Sequence, residues 1–247
     1  MKVFELIKKV KKIVNWRELR IMITFCPVCS CKRVMIKFDS NAIAVRCLSC
    51  RASAVYMSIV SILREVAPEI SSLDAYELSS RGPLFRYLIT KAKTVTSSEY
   101  CPDVASGGFK NGIQIQDVQN LSYADKSFDI CTSTEVFEHV PDDTKGFSEI
   151  LRVLRPNGIF VFTVPLQNAY KTIERTILTA NGEIQHLLPP EYHDDPIGES
   201  GKILAFRTYG QDIIEKLLNA GFTKAEIVIP EKQIPWGFAR QVVVAHR

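Results

Sequence analysis

Four cysteines near the N-terminus have a spacing that suits metal binding. Cys26 and Cys29 form one C-x2-C pair, Cys47 and Cys50 form a second, and 17 residues separate the two pairs. This pattern is typical of a four-thiolate zinc site, in which each pair lies at a tight turn and all the sulfurs face one ion. Because four protein ligands leave no open coordination position, the pattern predicts a structural ion that takes no part in chemistry.

Disulfide bonds are the alternative for cysteines at this spacing, and they are typical of exported proteins. The N-terminal residues show no apolar stretch followed by a small-residue cleavage site, so the sequence predicts a reducing, cytoplasmic setting with free thiolates. We expect the three remaining cysteines not to be ligands: Cys31, Cys101 and Cys131.

Two of the four histidines lie where they could take part in acid–base chemistry. His139 lies in the turn "EVFEHV" with Glu135 and Glu138, and His193 lies in the long polar segment "GEIQHLLPPEYHDDPIGES". Imidazole titrates near neutral pH and can remove a proton from a hydroxyl nucleophile. His193 is the preferred candidate for such a catalytic base and His139 is the second; the alternative for His139 is a packing role within the turn.

Long polar segments such as the one around His193 are usually lids or binding elements. We expect this segment to pass over the same edge of the sheet as a bound cofactor, although a surface excursion with proline-fixed turns is the alternative. The residues that we place on the substrate side are His186, Tyr192, His193 and Asp194.

Three segments with different patterns position these residues. Residues 1–20 carry five Lys and two Arg against two Glu, with apolar residues at helical spacing, and predict a basic amphipathic helix. Residues 21–68 hold the zinc ribbon, with strands at "RVMIKF" and "AIAVR", followed by a linking helix that ends before Pro68. Residues 69–247 form the remaining, larger domain.

The basic helix has three possible roles. It could pack against its own domain, or it could contact a membrane surface through its apolar stripe and its lysines. Nucleic-acid binding is less favoured, because the net charge of +4 is concentrated in this segment and the rest of the chain is close to neutral.

Residues 69–247 alternate strands with helices, which predicts an α/β fold with a doubly wound, mostly parallel, seven-stranded Rossmann-like sheet. The predicted strands are "LDAYELS", "KTVTSSEY", "GIQIQDV", "SFDICTST", "GIFVFTVP", "KAEIVIP" and "RQVVVAHR". The predicted helices are "PLFRYLITKA", "DDTKGFSEILRVL", "NAYKTIERTIL" and "GQDIIEKLLNAG". The last two strands have no helix between them, so one of them is expected to run antiparallel.

Ligands of such sheets bind beyond the carboxyl ends of the strands, and polar residues lie at these ends here. The first strand runs into "ELSSRGP", where Gly82 suits a tight turn that exposes backbone N–H groups. The second strand ends at Glu99, 22 residues after Glu77, and a carboxylate at that separation can accept both hydroxyls of a ribose. The third ends at Asp117, a possible acceptor for an adenine amine.

The stretch "SFDICTSTEVFEHVPDDTKGFSEILRVLRPNGIFVFTVP" resembles the segment between the fourth and fifth strands of class I S-adenosylmethionine-dependent methyltransferases, especially those called type 11. That family has a strand with Phe-Asp, a "vlEHv" turn, a helix, "LrPGG" and a further strand. The resemblance extends from Leu73 to the C-terminus and is most specific over residues 128–165. The ribbon with "CLSCRAS" also looks like a module found ahead of such domains.

The resemblance implies roles for nine residues in holding S-adenosylmethionine. Glu99 binds the ribose hydroxyls, Asp117 and the backbone at Val118 hold the adenine, and Ser133 and Thr134 lie along the methionine part. The first loop, with Glu77, Ser79 and Gly82, holds the methionine amine and carboxylate, and Tyr100 is a further cofactor-binding residue. The first loop departs from the family, which has three alternating glycines there. Ser79 replaces the first of these and Arg81 the second, and side chains at these positions could crowd the cofactor.

The predicted function is methyl transfer to an oxygen or nitrogen of a small-molecule or glycan-type acceptor. One alternative is a nucleic-acid methyltransferase that grips its substrate with the zinc ribbon, although the ribbon is poor in aromatic residues. The other is a non-catalytic scaffold that keeps the fold without its glycine-rich loop.

Overall fold

The structure is a computed structural model that describes residues 17–40, 44–194, 201–231 and 234–247. The chain divides into two compact units. The first, the ribbon unit, contains the described residues of Met1–Pro68 together with Arg81–Thr90 and Ile229–Gln241. The second, the sheet unit, contains Glu69–Ser80, Lys91–Val228 and Val242–Arg247.

The predicted helix over residues 1–20 falls almost wholly outside the described residues, and its membrane contact stays a prediction. Among the helices that the structure describes, none combines the length and the apolar character that a membrane span requires.

The ribbon unit contains a three-stranded antiparallel sheet. Its strands are β1 (Arg20–Cys26), β2 (Cys31–Lys37) and β3 (Val45–Cys47). The predicted hairpin is confirmed as β2 and β3, whereas β1 was not predicted. Helix α1 (Ala54–Val66) follows and ends before Pro68, as expected. Helix α2 (Gly82–Lys91) also falls almost entirely in this unit.

The sheet unit is built on a mixed sheet of six described strands. They are β4 (Asp74–Glu77), β5 (Thr94–Ser97), β8 (Phe128–Thr134), β9 (Leu154–Thr163), β16 (Lys224–Val228) and β17 (Val242–His246). The order across the sheet is β16-β17-β9-β8-β4-β5, with β5, β4, β8 and β9 parallel. Strand β17 runs antiparallel to both β9 and β16, so the expected antiparallel strand is confirmed.

The count of seven sheet strands was wrong for the described residues. Most of "GIQIQDV" stays out of the sheet: a hairpin joins β6 (Phe109–Lys110) to β7 (Ile113–Gln114), and Ile115 makes one parallel bridge with Glu99. The reason is the tight hairpin, which pairs Lys110 with Ile113 so that the chain reverses at residues 111–112 instead of running on beside β5. Ile115 also pairs with the loop before the hairpin, since its N–H donates to the Gly108 carbonyl and its carbonyl accepts from the Gly107 N–H.

Two α-helices lie in the described part of the sheet unit, α3 (Asp143–Val153) and α4 (Ile213–Asn219). Helix α3 matches its prediction, because Phe147 and Ile150 bury its apolar face and the Asp142 carboxylate caps its N-terminus through the N–H of Lys145. Four phenylalanines continue this core across the sheet, with centroids 4.6 Å apart for one stacked pair and 4.3 Å for the other. The pairs are Phe137 with Phe147 and Phe160 with Phe162.

The helix predicted at "NAYKTIERTIL" was wrong, because this region forms strands. Six short strands occupy residues 173–208: β10 (Ile173–Glu174), β11 (Thr176–Leu178), β12 (Ile184–His186), β13 (Tyr192–Asp194), β14 (Lys202–Leu204) and β15 (Arg207–Thr208). They pair antiparallel as β10 with β15, β11 with β12, and β13 with β14. The β-branched Thr and Ile residues of the segment favour extended backbone and explain the outcome.

Arg207 links these added strands to the turn that follows β8. Its side chain is 3% exposed, and its guanidinium donates hydrogen bonds to the backbone carbonyls of Phe137, Val140 and Pro141. The Arg207 Nε also donates to the Glu174 carboxylate, at 3.2 Å. One buried cation thus donates to three backbone carbonyls of a single turn.

We expect Arg207→Met to lower the free energy of unfolding by roughly 3 kcal/mol, because it removes the guanidinium that donates to the Val140 and Pro141 carbonyls and that pairs with the Glu174 carboxylate. Urea denaturation monitored by circular dichroism measures the change. The matched control is Arg155→Met, since Arg155 is partly exposed and pairs with Asp74 and Asp129 at the surface. Its loss should cost about 1 kcal/mol or less. Equal losses in the two variants would contradict the role given to Arg207.

Candidate functional site

The four paired cysteines converge on one point in the ribbon unit. Their sulfur atoms all lie within 4.8 Å of one another, with 3.8 Å between Cys26 and Cys50 and 3.9 Å between Cys29 and Cys47. A tetrahedral ion with Zn–S bonds of about 2.3 Å requires sulfurs about 3.8 Å apart, whereas a disulfide requires about 2.05 Å. The spacing therefore fits four ligands of one ion.

Two equivalent turns produce this arrangement. Ser30 and Arg51 each lie four residues after the first cysteine of a pair, and both have positive φ, at 56° and 63°. Their N–H groups donate to the carbonyls of Cys26 and Cys47, at 2.9 Å and 2.8 Å. Among the described residues, none of the other three cysteines joins the cluster.

The thiols influence one another's protonation. The hydrogen bond with Cys50, together with burial, raises the pKa of Cys26, and burial raises the pKa of Cys29 to about 11. The hydrogen bond from Cys26 lowers the pKa of Cys50 to about 5. A cation that binds all four sulfurs must therefore release protons from the cluster.

In the sheet unit, the chain reverses direction across the sheet at β4. It moves from β4 to β5 on one side and then returns to β8 on the other side of β4. In open α/β sheets, such a switch point opens a crevice at the carboxyl ends of the strands, where ligands bind.

Glu77, the last residue of β4, lies at this switch point and is 2% exposed. Thr132 Oγ1 of the neighbouring strand donates a hydrogen bond to its carboxyl group. Burial, together with the charge of Glu99, raises the pKa of Glu77 to about 8 although the Thr132 hydrogen bond opposes the shift. Glu77 therefore carries a proton at neutral pH.

Glu99 lies two residues after β5 and its carboxylate is held by the first loop. Glu99 Oε1 accepts hydrogen bonds from the Ser80 N–H at 2.8 Å, from Ser80 Oγ at 2.7 Å and from Ser79 Oγ at 3.3 Å. The loop that lacks the family's glycines thus closes onto the residue predicted to bind ribose. The serines at these positions act as donors.

The predicted adenine-binding residues lie on the loop after β7. Asp117 Oδ1 accepts from the N–H and the side-chain amide of Gln119, at 2.9 Å and 3.0 Å. Val118 is buried in the main core cluster, and Tyr100 is 57% exposed. The pKa of Tyr100 is raised mainly by burial of part of its ring and, to a smaller extent, by the negative charge of Asp117.

Three hydroxyl groups at the carboxyl ends of β8 and β9 are buried and have no hydrogen-bond partner among the described residues. They belong to Ser133, Thr134 and Thr163. Buried hydroxyls are normally hydrogen-bonded, so unpaired ones mark a place where a polar ligand can bind. Ser133 and Thr134 are the two residues predicted to line the methionine part of the cofactor.

A second cluster forms just beyond β8, where Glu138, His139 and His193 bring ring nitrogens and a carboxylate within 4.8 Å of one another. The two imidazole rings meet edge to face with centroids 4.8 Å apart. The structure thus brings together the two predicted catalytic residues, which are 54 positions apart in the sequence. The sequence predicted no role for Glu138. Its burial, at 1% exposure, is visible only in the structure.

Other predicted residues lie apart from this cluster. Gly82 is the first residue of α2, with φ of 93°, and falls in the ribbon unit. His186 lies in the β11–β12 hairpin, where its Nδ1 pairs with the Thr176 hydroxyl at 3.1 Å. Tyr192 is 53% exposed, and Asp194 pairs with Lys202.

Part of this chain is similar to a known protein family. Residues 79–162, which are 84 of the 247, match the family described as "Methyltransferase domain". An uncharacterized methyltransferase of Mycobacterium sp. (strain KMS) is 48% identical over 44 residues, which cover 18% of this chain and 18% of the relative. A ubiquinone/menaquinone biosynthesis C-methyltransferase of Bdellovibrio bacteriovorus is 38% identical over 72 residues, covering 26% of this chain and 31% of the relative.

A solved structure, an S-adenosylmethionine dependent methyltransferase from Mesorhizobium loti, matches with a TM-score of 0.47 at 20% identity, covering 75% of this chain and 96% of that one. The chain spans only 18% to 31% of the length of the two curated relatives. The segment 79–162 matches a methyltransferase domain, the kind of domain that the resemblance led us to expect. It contains the first loop, Glu99, Asp117 and the turn with Glu138.

The raised pKa of Glu77 predicts a pH-dependent stability. Its pKa is 4.5 as an ordinary glutamate and about 8 in the fold, so between these values the unfolded chain loses the proton first and stability falls as pH rises. From pH 5 to pH 8 the wild type should lose on the order of 3 kcal/mol more than Glu77→Gln, by urea denaturation. Parallel profiles for the wild type and this variant would contradict the assignment, and Glu183→Gln, at an exposed position, serves as control.

Proposed function

We propose that the protein catalyses S-adenosylmethionine-dependent methyl transfer. The observation that carries the proposal is the row of buried polar groups at the carboxyl edge of the parallel strands, within the segment that matches a methyltransferase domain. When bound, S-adenosylmethionine supplies an electrophilic methyl group, and the protein supplies alignment and solvent exclusion.

The residues at the switch point fit such a cofactor. The Glu99 carboxylate accepts the ribose hydroxyls, with the first loop holding it in place, and the backbone around Asp117 and Val118 receives the adenine. Ser133 and Thr134 direct hydroxyls toward the methionine part, which would give these buried groups the partner that the described residues do not provide.

The acceptor binds beside the cluster of Glu138, His139 and His193. This cluster begins four residues after β8 ends, so it follows directly on the hydroxyls of the cofactor site. An acceptor oxygen or nitrogen of a small molecule or glycan suits a site lined by polar side chains from the added hairpins.

A second candidate function is a non-catalytic scaffold with the same fold. The observation that favours it is the closed first loop, in which Glu99 Oε1 already accepts three hydrogen bonds from Ser79 and Ser80. Isothermal titration calorimetry with S-adenosylmethionine distinguishes the two, because a scaffold gives neither heat nor thermal stabilisation.

We also propose that the cysteine cluster binds structural zinc. The sulfur spacing and the two matching turns support it, and four thiolates leave no position for a substrate. A three-stranded sheet of this size buries little apolar surface, so the ion would supply much of the folding energy of the ribbon.

Substitution of Glu99 tests the cofactor site. We expect Glu99→Ala to raise the dissociation constant of S-adenosylmethionine by at least roughly tenfold, because two hydrogen bonds to a charged carboxylate are lost. Calorimetry gives the constant, and Asp103→Ala, at an exposed acidic residue nearby in sequence, is the matched control. Unchanged affinity in a folded Glu99→Ala protein would exclude the ribose-binding role.

Removal of one cysteine tests the zinc site. Cys47→Ser should abolish zinc binding by the cysteine cluster and lower the melting temperature of the ribbon unit, and a strong chelator should have the same effects on the wild type. Differential scanning calorimetry and metal analysis follow both effects. Cys101→Ser, outside the cluster, should change neither, and a chelator-insensitive melting profile in the wild type would rule out a structural ion.

A further inference from the structure

Glu138 is a buried carboxylate without a hydrogen-bond donor. It is 1% exposed, and neither carboxylate oxygen has a hydrogen-bond partner among the described residues. Burial of a carboxylate away from water is costly unless a cation or a donor compensates for the lost hydration. The fold therefore holds Glu138 in a place where something positively charged would stabilise it.

The nearby Arg207 does not fill this role. Its guanidinium donates to three backbone carbonyls and to Glu174, and its Nε lies 3.5 Å from Asp143. All three nitrogen atoms of its guanidinium already donate to these partners. The imidazoles of His139 and His193 are the basic groups that come within 4 Å of the Glu138 carboxylate among the described contacts.

Both imidazoles approach the same oxygen of Glu138. Oε1 lies 3.6 Å from His139 Nε2 and 3.7 Å from His193 Nδ1. These distances are too long for hydrogen bonds. Two ligand atoms of one ion with metal–donor bonds of about 2.0 to 2.1 Å lie about 2.9 to 3.4 Å apart. If each imidazole moved a few tenths of an ångström toward Glu138, all three side chains could bind one metal ion.

Hydrogen bonds on the far side of each ring prepare the facing nitrogens. His139 Nδ1 donates to the carbonyl of Leu204 at 2.9 Å, and His193 Nε2 donates to the Glu191 carboxylate at 3.2 Å. In the neutral ring, the opposite nitrogen then carries a lone pair. Hydrogen bonds of this kind are the ones that orient histidine ligands at metal centres.

One hairpin fixes both rings. Strand β13 carries His193, and Leu204, whose carbonyl holds His139, lies on the paired strand β14 opposite Tyr192. The Phe206 N–H also donates to the Glu138 carbonyl at 2.7 Å, and Arg207 holds the same turn. The three side chains are therefore positioned by rigid, mutually bonded backbone.

We propose that Glu138, His139 and His193 bind a divalent transition metal ion of the zinc type, at a site separate from the four cysteines. Two imidazole nitrogens and one carboxylate suit Zn²⁺ and its neighbours, and a set of three protein ligands leaves positions open for water or for an oxygen of another ligand. An ion here gives the buried Glu138 carboxylate a positively charged partner and lowers the pKa of an oxygen that the ion binds. His193 then acts as a ligand, in place of the free base predicted from the sequence.

The test is the zinc content of the full chain. The protein is dialysed against excess Zn²⁺, then against metal-free buffer, and zinc per chain is measured by atomic emission. We expect two ions per chain in the wild type, one for each cluster, and one ion in Glu138→Gln and in His193→Ala. His186→Ala, which removes a histidine from a neighbouring hairpin, should keep both. The cysteine cluster provides the internal reference for correct folding.

A second measurement needs no variant. In the wild type, NMR of the imidazole nitrogens during titration with Zn²⁺ should shift the signals of His139 Nε2 and His193 Nδ1 and leave those of His186 unchanged. Equal zinc content in the wild type and both variants, or imidazole signals that do not respond, would overturn the proposal. Neither cofactor nor acceptor is present in these experiments, so their outcome does not depend on methyl transfer.

Discussion

The guanidinium of Arg207 donates to the carbonyls of Phe137, Val140 and Pro141, which belong to one short turn. This constraint sets the position of the candidate site, because Glu138 and His139 lie inside the turn and cannot move without breaking those bonds. It also explains why strands are added after β9. They bring Arg207 and His193 back over the end of β8, which the core sheet could not do alone.

The other half of the site depends on the change of direction at β4. Glu77 and Glu99 end up as neighbouring buried carboxyl groups, and the fold resolves the conflict by protonating the first and surrounding the second with serine donors. The first loop, which departs from the glycine-rich pattern, thus supplies hydrogen-bond donors to the Glu99 carboxylate. Ser79, at the first glycine position, and Ser80 beside it both donate to the Glu99 carboxylate.

Patterns that are local in the sequence predicted the structure well. The cysteine spacing anticipated the four-sulfur cluster, and the i, i+3, i+4, i+7 pattern anticipated α3, because each depends on contacts within one segment. Long-range pairing could not be foreseen. The pairing of β10 with β15 and the meeting of His139 with His193 are decided by partners far along the chain, whereas β1 and the β6–β7 hairpin were missed although their partners are close in sequence.

The pairing of β13 with β14 has a consequence for how this protein can vary. Side chains along a strand alternate between faces, so inserting or deleting one residue within Tyr192–Asp194 would turn His193 to the opposite face. The same slip would move the Leu204 carbonyl away from its present partner residue. Length changes in relatives should therefore accumulate outside these six paired residues, while substitutions of their outward-facing side chains are tolerated.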